Sequence, residues 1–514
     1  MTTFDWIIAL LIGAVTLAAL ARRTGIPYPT FLAVGGMLLA FLPGTPAWTL
    51  QPELALALFV APVLLDAAYD TSLRDLRANW LPVTTLVFAA VAVTTACVAL
   101  VAHTMVPDLP WPAAIALGAI VAPPDAAAAT TILRQVKLPH RIVTILEGES
   151  LLNDASALLI YRITAGIVMM HHVGVETVVP TITLALAGSL VAGYVCSRIT
   201  MHLFARVSDV PSAIILQFAT TFTIWIVAEH LGLSGILTIV AYAIIVARTA
   251  PARTSARLRV PTNAVWETAV FLLNVLAFVL IGMQLGPIWQ RMNDATRRNH
   301  ALVAGAVLVT VIASRIAWVM SYNTVMRLKG AYYARRGWEA RHVPMLKSGL
   351  VVAWCGMRGI VTLASAFALP EQFPHRDLML LIAFAVVLGT LLIQGLTLRP
   401  LVRLLSFAAD NPVEQEVAGA RIVALRAALD AISADPSEEA EVLRLEYDAA
   451  LLRAETDPAS FSGELPADPM RRRAIDASRQ ALIGLRANGV IGDDAFHRLE
   501  EELDWAELSA QAGT

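Results

Sequence analysis

Gly148-Glu149-Ser150-Leu151-Leu152-Asn153-Asp154 lies inside the apolar run 142–170, which is long enough to cross the hydrocarbon core of a bilayer. An ionisable side chain at that depth costs at least ~2.5–3.5 kcal/mol on insertion scales, so it marks a candidate functional site. Two acids and an amide share a turn and a half of helix here, with Glu147 just before them. On a helix Glu149 shares a face with Asn153, and Ser150 with Asp154. The two acids are therefore offset, and each needs its own partner or its own proton.

Outward from that run, the chain of 514 residues is 57% hydrophobic with a mean hydropathy of +0.66, a balance that belongs to polytopic membrane proteins. Apolar stretches follow one another up to residue 405. From Ser406 to Thr514 they stop, and this segment carries 22 acids, 10 arginines and no lysine. The formal net charge of −2 thus hides a basic membrane part and an acidic tail. We expect a transmembrane domain at 1–405 and a soluble, helical, cytoplasmic tail at 406–514. No nucleic-acid partner and no cofactor are expected. Cys97, Cys196 and Cys355 all fall in apolar runs without metal-ligand spacing, and read as small buried hydrophobes. The first residues lack a positive n-region and a cleavage site, so the first apolar run reads as a retained span.

Thirteen spans are expected, near 4–21, 27–43, 52–69, 81–105, 111–133, 142–170, 177–204, 211–230, 233–249, 264–288, 301–326, 345–370 and 378–405. Positive charge sorts the loops between them. One set holds Arg22 and Arg23; Arg74 and Arg77; Arg134, Lys137 and Arg141; Arg206; Arg248, Arg253, Arg257 and Arg259; and Arg327 through Lys347. The other is nearly bare, apart from Arg291, Arg297, Arg298 and Arg376. This asymmetry implies an N-terminus outside and a cytoplasmic tail.

Two spans are interrupted. The fifth contains Pro123-Pro124-Asp125, and successive prolines remove backbone donors and disfavour helix before them. The twelfth contains Gly356-Met357-Arg358-Gly359, where glycines permit irregular backbone. Seven spans separate the breaks, so they correspond if spans one to six recur as spans eight to thirteen. The expected fold is all-α, with two inverted six-helix repeats and broken helices at spans five and twelve. Interrupted segments in matching places of two halves point to a transporter's midplane site. Ordinary kinks are the plainer reading, but each break carries an ionisable residue. Asp125 can answer exposed amides at a helix N-terminus, and Arg358 carbonyls at a C-terminus.

Away from the span ends basic residues are few, Arg162, Arg315 and Arg358 among them. Arg315 is the natural partner of one acid, because a lone buried guanidinium is costly. Another acid is then left to exchange ligands, holding either a proton or, when ionised, a cation. One site with two competing ligands is the minimum machinery of exchange. A purely structural reading ranks ahead for Glu149 and behind for Asp154. Asp66 in the third span reads equally as an oxygen ligand, an access-path residue or an interfacial acid. Glu229 reads as interfacial.

Together these residues resemble a known family. Gly148 to Asp154 resembles the central motif of the bacterial NhaP-type and animal NHE-type sodium/proton antiporters. Leu64-Leu65-Asp66 looks like the family's third-span motif, and Ala228-Glu229 with Leu233-Ser234-Gly235-Ile236-Leu237 like its eighth-to-ninth-span segment. Phe271-Leu272-Leu273-Asn274 with Phe278 and Ile281-Gly282 resembles its tenth span, and Gly356-Met357-Arg358-Gly359 its twelfth. The resemblance implies a homodimeric antiporter with a six-helix ion-translocating core and a dimerisation domain. It implies that Asp154 binds cation and proton in turn. Ser150 and a backbone carbonyl near Pro124 would complete the cation shell, with Asp66 a further ligand. It implies a Glu149–Arg315 ion pair, with Asp125 and Arg358 compensating the broken-helix ends. Related electrogenic antiporters carry a second acid where this chain has Asn153. With an amide there as an orienting group, one carboxylate carries charge both ways, so one proton exchanges for one cation without net current. The chain departs from the family at the fifth span, where many relatives have Thr-Asp-Pro and this chain has Pro124-Asp125-Ala126. The acid is kept and the hydroxyl is not, so no role for that hydroxyl is carried over.

The expected function is exchange of Na+, with Li+ or K+ as further candidates, against H+ across the inner membrane. The first alternative is a K+-selective exchanger, since carboxylate chemistry alone does not separate the ions. Asp125 and Asp154 as an intramembrane aspartyl protease pair rank lower, because the usual Gly-x-Gly-Asp context is absent at both. A channel ranks only slightly above that. The tail reads as three or four short amphipathic helices, broken near Asp435-Pro436, Pro458, Pro466 to Pro469 and Gly492. Arg471-Arg472-Arg473 reads as a solvated face or an anionic-lipid contact.

Overall fold

The computed structural model describes residues 3–24, 27–42, 52–125, 138–170, 175–250, 252–290, 294–336, 345–407, 412–457, 461, 463–488, 490 and 493–510. These are helical or irregular, with no strand among them. The sequence-expected second part of the fifth span (126–133), Arg134, Lys137, Pro458 and Gly492 lie outside the described residues.

The chain divides into two compact units, Met1–Ala408 and Ala409–Thr514. The first unit opens with α1 (Thr3–Thr24) and α2 (Tyr28–Leu39). Next comes α3, residues 52–70, whose turn Leu56–Val60 is π-helical. Pro62 withholds one backbone donor from that helix just after the π turn. The short α4 (Leu73–Ala78) leads to α5 (Trp80–Met105) and α6 (Trp111–Val121). Then follow α7 (His140–Met170), α8 (Val175–Phe204), α9 (Val210–His230), α10 (Gly235–Thr249) and α11 (Ala256–Met283). The unit closes with α12 (Leu285–Gln290), α13 (Asp294–Arg335), α14 (Leu346–Trp354), α15 (Ile360–Phe367) and α16 (Arg376–Leu405). Helix falls on each of the thirteen expected spans, and among the described residues seven helices are long and apolar enough to cross a membrane.

Burial distinguishes helices that face lipid from those that hold the centre. In α6 every residue from Ala116 to Val121 is buried, and the small side chains let α5 and α7 pack closely on it. α16 packs on α13 and is buried along most of its length. By contrast α8 exposes Leu184, Leu190, Val191 and Tyr194, an apolar outer face suited to hydrocarbon. Caps mark the helix starts: the Asp209 carboxylate accepts from the Ser212 amide at 2.9 Å, and Ser234 caps α10. Of the cysteines, Cys355 is buried and the other two are half-buried.

The second unit comprises α17 (Pro412–Ile432), α18 (Glu438–Thr456), α19 (Asp468–Ala487) and α20 (Asp493–Ser509). Ion pairs join its helices. Arg471 meets Glu446 at 2.7 Å and Asp468 at 2.9 Å, while Arg479 meets Asp504 and Glu507, both at 2.7 Å. Arg472 pairs with Glu464. Two members of the arginine triplet therefore engage carboxylates within this unit.

Candidate functional site

α6 ends at Val121 and α14 at Trp354, and the irregular segments after them meet. The Asp125 amide donates to the Met357 carbonyl at 2.7 Å, so the two breaks are joined backbone to backbone. Arg358 is fully buried there. Its Nε donates to the Val121 carbonyl at 3.1 Å and its Nη2 to the Ala122 carbonyl at 3.2 Å, while Nη1 bonds to the Gly356 carbonyl. A guanidinium thus lies on the carbonyl end of α6, where the helix dipole is negative. The carboxylate of Asp125 lies against Gly359, at the amide end of α15. A Cβ at Gly359 would overlap that carboxylate, so any other residue here requires the Asp125 side chain to shift. The sequence signal for each charge was a charged residue adjoining a helix break.

The acids of α7 take different directions. Glu149 faces α13, where Arg315 Nη1 donates to Oε1 at 2.5 Å and Nη2 to Oε2 at 2.9 Å. Both side chains are almost fully buried, and Arg315 Nη2 also donates to the Val352 carbonyl at 3.1 Å. Asn153, fully buried, donates from Nδ2 to the Pro124 carbonyl at 2.9 Å. Ser156 donates to the Val87 carbonyl at 2.7 Å and ties this part of α7 to the π-helical turn of α5.

Asp154 faces a cavity of about 990 Å3, which Ser150, Glu147, Asp125 and Asp66 also line. Among the described residues no basic side chain pairs with Asp154, whereas Glu149 is engaged on the opposite side of the helix. The cavity walls are mostly apolar and include Tyr28, Tyr242, Trp266 and Phe278. Arg253 and Arg259 line it too, and both belong to the loop set rich in positive charge. Arg162, also inside a span, pairs with Glu229 at 2.5 Å. Glu229 in turn accepts from the Gly235 amide at 3.0 Å and so caps α10.

Around Asp154 the carboxylates of Asp125, Asp66 and Glu147 and the Ser150 hydroxyl on the cavity wall are oxygen donors, the kind a hard cation takes. No cluster of His, Cys, Asp and Glu fit to hold a resident metal is present among the described residues. Sequence reasoning did not single out Thr390, whose hydroxyl accepts the Arg358 amide at 3.0 Å. Nor did it single out Tyr28 or Trp266 in the cavity wall, where Asn274 of the tenth-span motif also lies. A threonine in an apolar helix usually bonds its own helix's carbonyls, as Thr397 does here, so nothing in the sequence separates Thr390 from it.

Residues 7–404 match the profile of the family described as "Sodium/hydrogen exchanger, transmembrane". A Mycobacterium tuberculosis protein named as a Na+/H+ exchanger is 28% identical across 98% of this chain and 95% of its own length. A Bacillus subtilis protein named as a sodium, potassium, lithium and rubidium/H+ antiporter is 28% identical across 94% of this chain and 74% of its own length. The fold is similar to that of the sodium proton antiporter MjNhaP1 from Methanocaldococcus jannaschii. That match has a TM-score of 0.62, 17% identity, and coverage of 79% of this chain and 99% of that one.

Proposed function

This chain belongs to the sodium/hydrogen exchanger family, and from that premise we propose that it exchanges Na+ for H+ one for one by alternating access, with Asp154 as the shared site. Asp154 binds the cation when ionised and releases it on protonation. Ser150, the Pro124 carbonyl and Asp66 supply further oxygen ligands, and Asn153 orients the Pro124 carbonyl. Glu149 and Arg315 form a structural ion pair. Asp125 and Arg358 compensate the ends of the broken helices.

One observation carries the reading: of the two acids at the centre of α7, Arg315 engages Glu149 and the cavity receives Asp154. With Asn153 uncharged, a single carboxylate takes either ligand and no net charge moves. The arginines lining the cavity support a form open to the cytoplasm, given the excess of positive charge on cytoplasmic loops. The working protein is a homodimer in the inner membrane, its N-terminus outside and its tail cytoplasmic. The Bacillus subtilis relative's name supports a cation range extending to Li+ and K+. Family membership favours exchange over the protease reading of Asp125 and Asp154.

The test is cation-driven dissipation of a pH gradient in proteoliposomes, with Na+, Li+ and K+ in turn and the membrane potential clamped or free. Wild type is expected to exchange at a rate independent of potential, and Asp154→Asn not to exchange. A variant that still exchanges defeats Asp154 as the shared site. A wild type that moves no cation against protons defeats the functional reading itself.

A further inference from the structure

The ligand carbonyl assigned to Pro124 belongs to the peptide group whose N–H is that of Asp125. That N–H donates to the Met357 carbonyl at 2.7 Å. The Met357 carbonyl in turn belongs to the peptide group whose N–H is that of Arg358, and this N–H donates to Thr390 Oγ1 at 3.0 Å. At the other end the Pro124 carbonyl accepts from Asn153 Nδ2 at 2.9 Å. Two peptide groups therefore stand in series between Asn153 on α7 and Thr390 on α16, each with its N–H and its C=O engaged. Arg358, Asn153 and Thr390 are all fully buried. The Thr390 hydroxyl is itself directed, donating to the Val386 carbonyl at 2.8 Å, which leaves its lone pairs facing Arg358.

We infer that Thr390 is a positioning residue for the cation site, setting the direction of the Pro124 carbonyl through the Met357–Arg358 and Pro124–Asp125 peptide groups. The inference rests on the assignment of that carbonyl as a cation ligand. Its physical basis is that a peptide plane is rigid, so fixing its N–H fixes its C=O. Hydrogen bonds in series in a low-dielectric interior also polarise one another, which makes the terminal carbonyl a better cation ligand. Without the hydroxyl, the Arg358 N–H loses its acceptor and the Met357–Arg358 plane is free to turn. The Met357 carbonyl then turns away from the Asp125 amide, and the Pro124 carbonyl loses its fixed direction.

The experiment compares wild type, Thr390→Val and Thr390→Ser in full-length protein. The first readout is amide hydrogen exchange over peptides spanning 121–126 and 355–359, which does not depend on transport. The second is the Na+ dependence of exchange in proteoliposomes. Thr390→Val is expected to speed exchange of the Asp125 and Arg358 amides and to raise the apparent KM for Na+ by about tenfold, the scale of one buried hydrogen bond. The maximal rate should fall much less, and Thr390→Ser should restore both readouts. Unchanged amide exchange in Thr390→Val overturns the relay. Faster amide exchange with an unchanged KM overturns its role in cation binding while leaving the exchanger reading intact. If Thr390→Val does not fold, Thr390→Ser decides alone: wild-type KM and amide protection are expected, and loss of either overturns the inference. A wild type without Na+/H+ exchange fails the functional reading instead, and the amide measurement still tests the relay.

Discussion

Glu149 and Arg315 form a two-pronged ion pair, at 2.5 Å and 2.9 Å, between side chains that are 2% and 3% exposed. The pair commits one of the two central acids of α7 to α13, while Asp154 faces the cavity. Removing one member of a buried pair strands a charge, at a cost of ~3–5 kcal/mol. Glu149→Gln is therefore expected to lower the melting temperature of the purified protein sharply. Glu149→Leu combined with Arg315→Met is expected to recover most of that loss. A Glu149→Gln variant that melts with wild type would show that the pair is not structural.

Asn153 offers a test of the single-carboxylate argument. An ionised acid at this position cannot donate to the Pro124 carbonyl, and it adds a second charge beside Asp154. Asn153→Asp is expected to exchange more slowly and to become sensitive to membrane potential. If its exchange stays blind to potential across the working pH range, the charge count of the cycle does not depend on this position.

Gly359 is open to a steric test. A Cβ there overlaps the Asp125 carboxylate, and overpacking of a tight site costs ~1–3 kcal/mol. Gly359→Ala is expected to lower the exchange rate far more than Gly166→Ala, since a Cβ at Gly166 meets nothing within 4 Å. Equal rates in the two variants would mean that the approach of Asp125 to α15 is not needed for transport.

Asp75, in α4 outside the membrane spans, ties that short helix to the start of α7 through His140 at 3.1 Å. Burial pushes its carboxyl up, but bonds from His140, Ser72 and Arg74 outweigh this and hold it below the usual carboxylate range. A group lowered in the folded state contributes stability that is fully present above its unfolded value, ~3.9, and is lost as pH falls through the folded value. Asp75→Asn should thus melt below wild type at neutral pH, with the gap closing below ~pH 4. A gap that stays constant into that acid range would show that the carboxylate charge contributes nothing.

Much of this was legible in the sequence. Each apolar run announces helix by its own length, and the residues at Pro123-Pro124-Asp125 and Gly356–Gly359 carry backbone constraints that act locally. Asp154 stood out because a carboxylate at membrane depth is costly wherever it points. Arg315 could be named as the partner of one acid, but periodicity alone did not decide between two acids five residues apart on the same helix. Arg162 illustrates the limit from the other side. It counts among the few basic residues inside spans, yet in the structure it meets Glu229 at the end of α9 and not an acid of α7. Thr390 carried no signal, because its contribution lies in a neighbour's backbone amide.

Composition and local pattern already mark the apolar part, the acidic tail, the two interruptions and the set of candidate charges. These follow from transfer free energies and backbone constraints that each segment carries alone. Which charges meet depends on how the helices pack. Glu149 and Arg315 are 166 residues apart in the chain, and the peptide groups of Asp125 and Met357 touch only because two separate broken spans meet. A hydrogen bond is a matter of a few tenths of an ångström and of direction. No segment encodes that separation, which arises from the packing of α6, α7, α13 and α16 against one another.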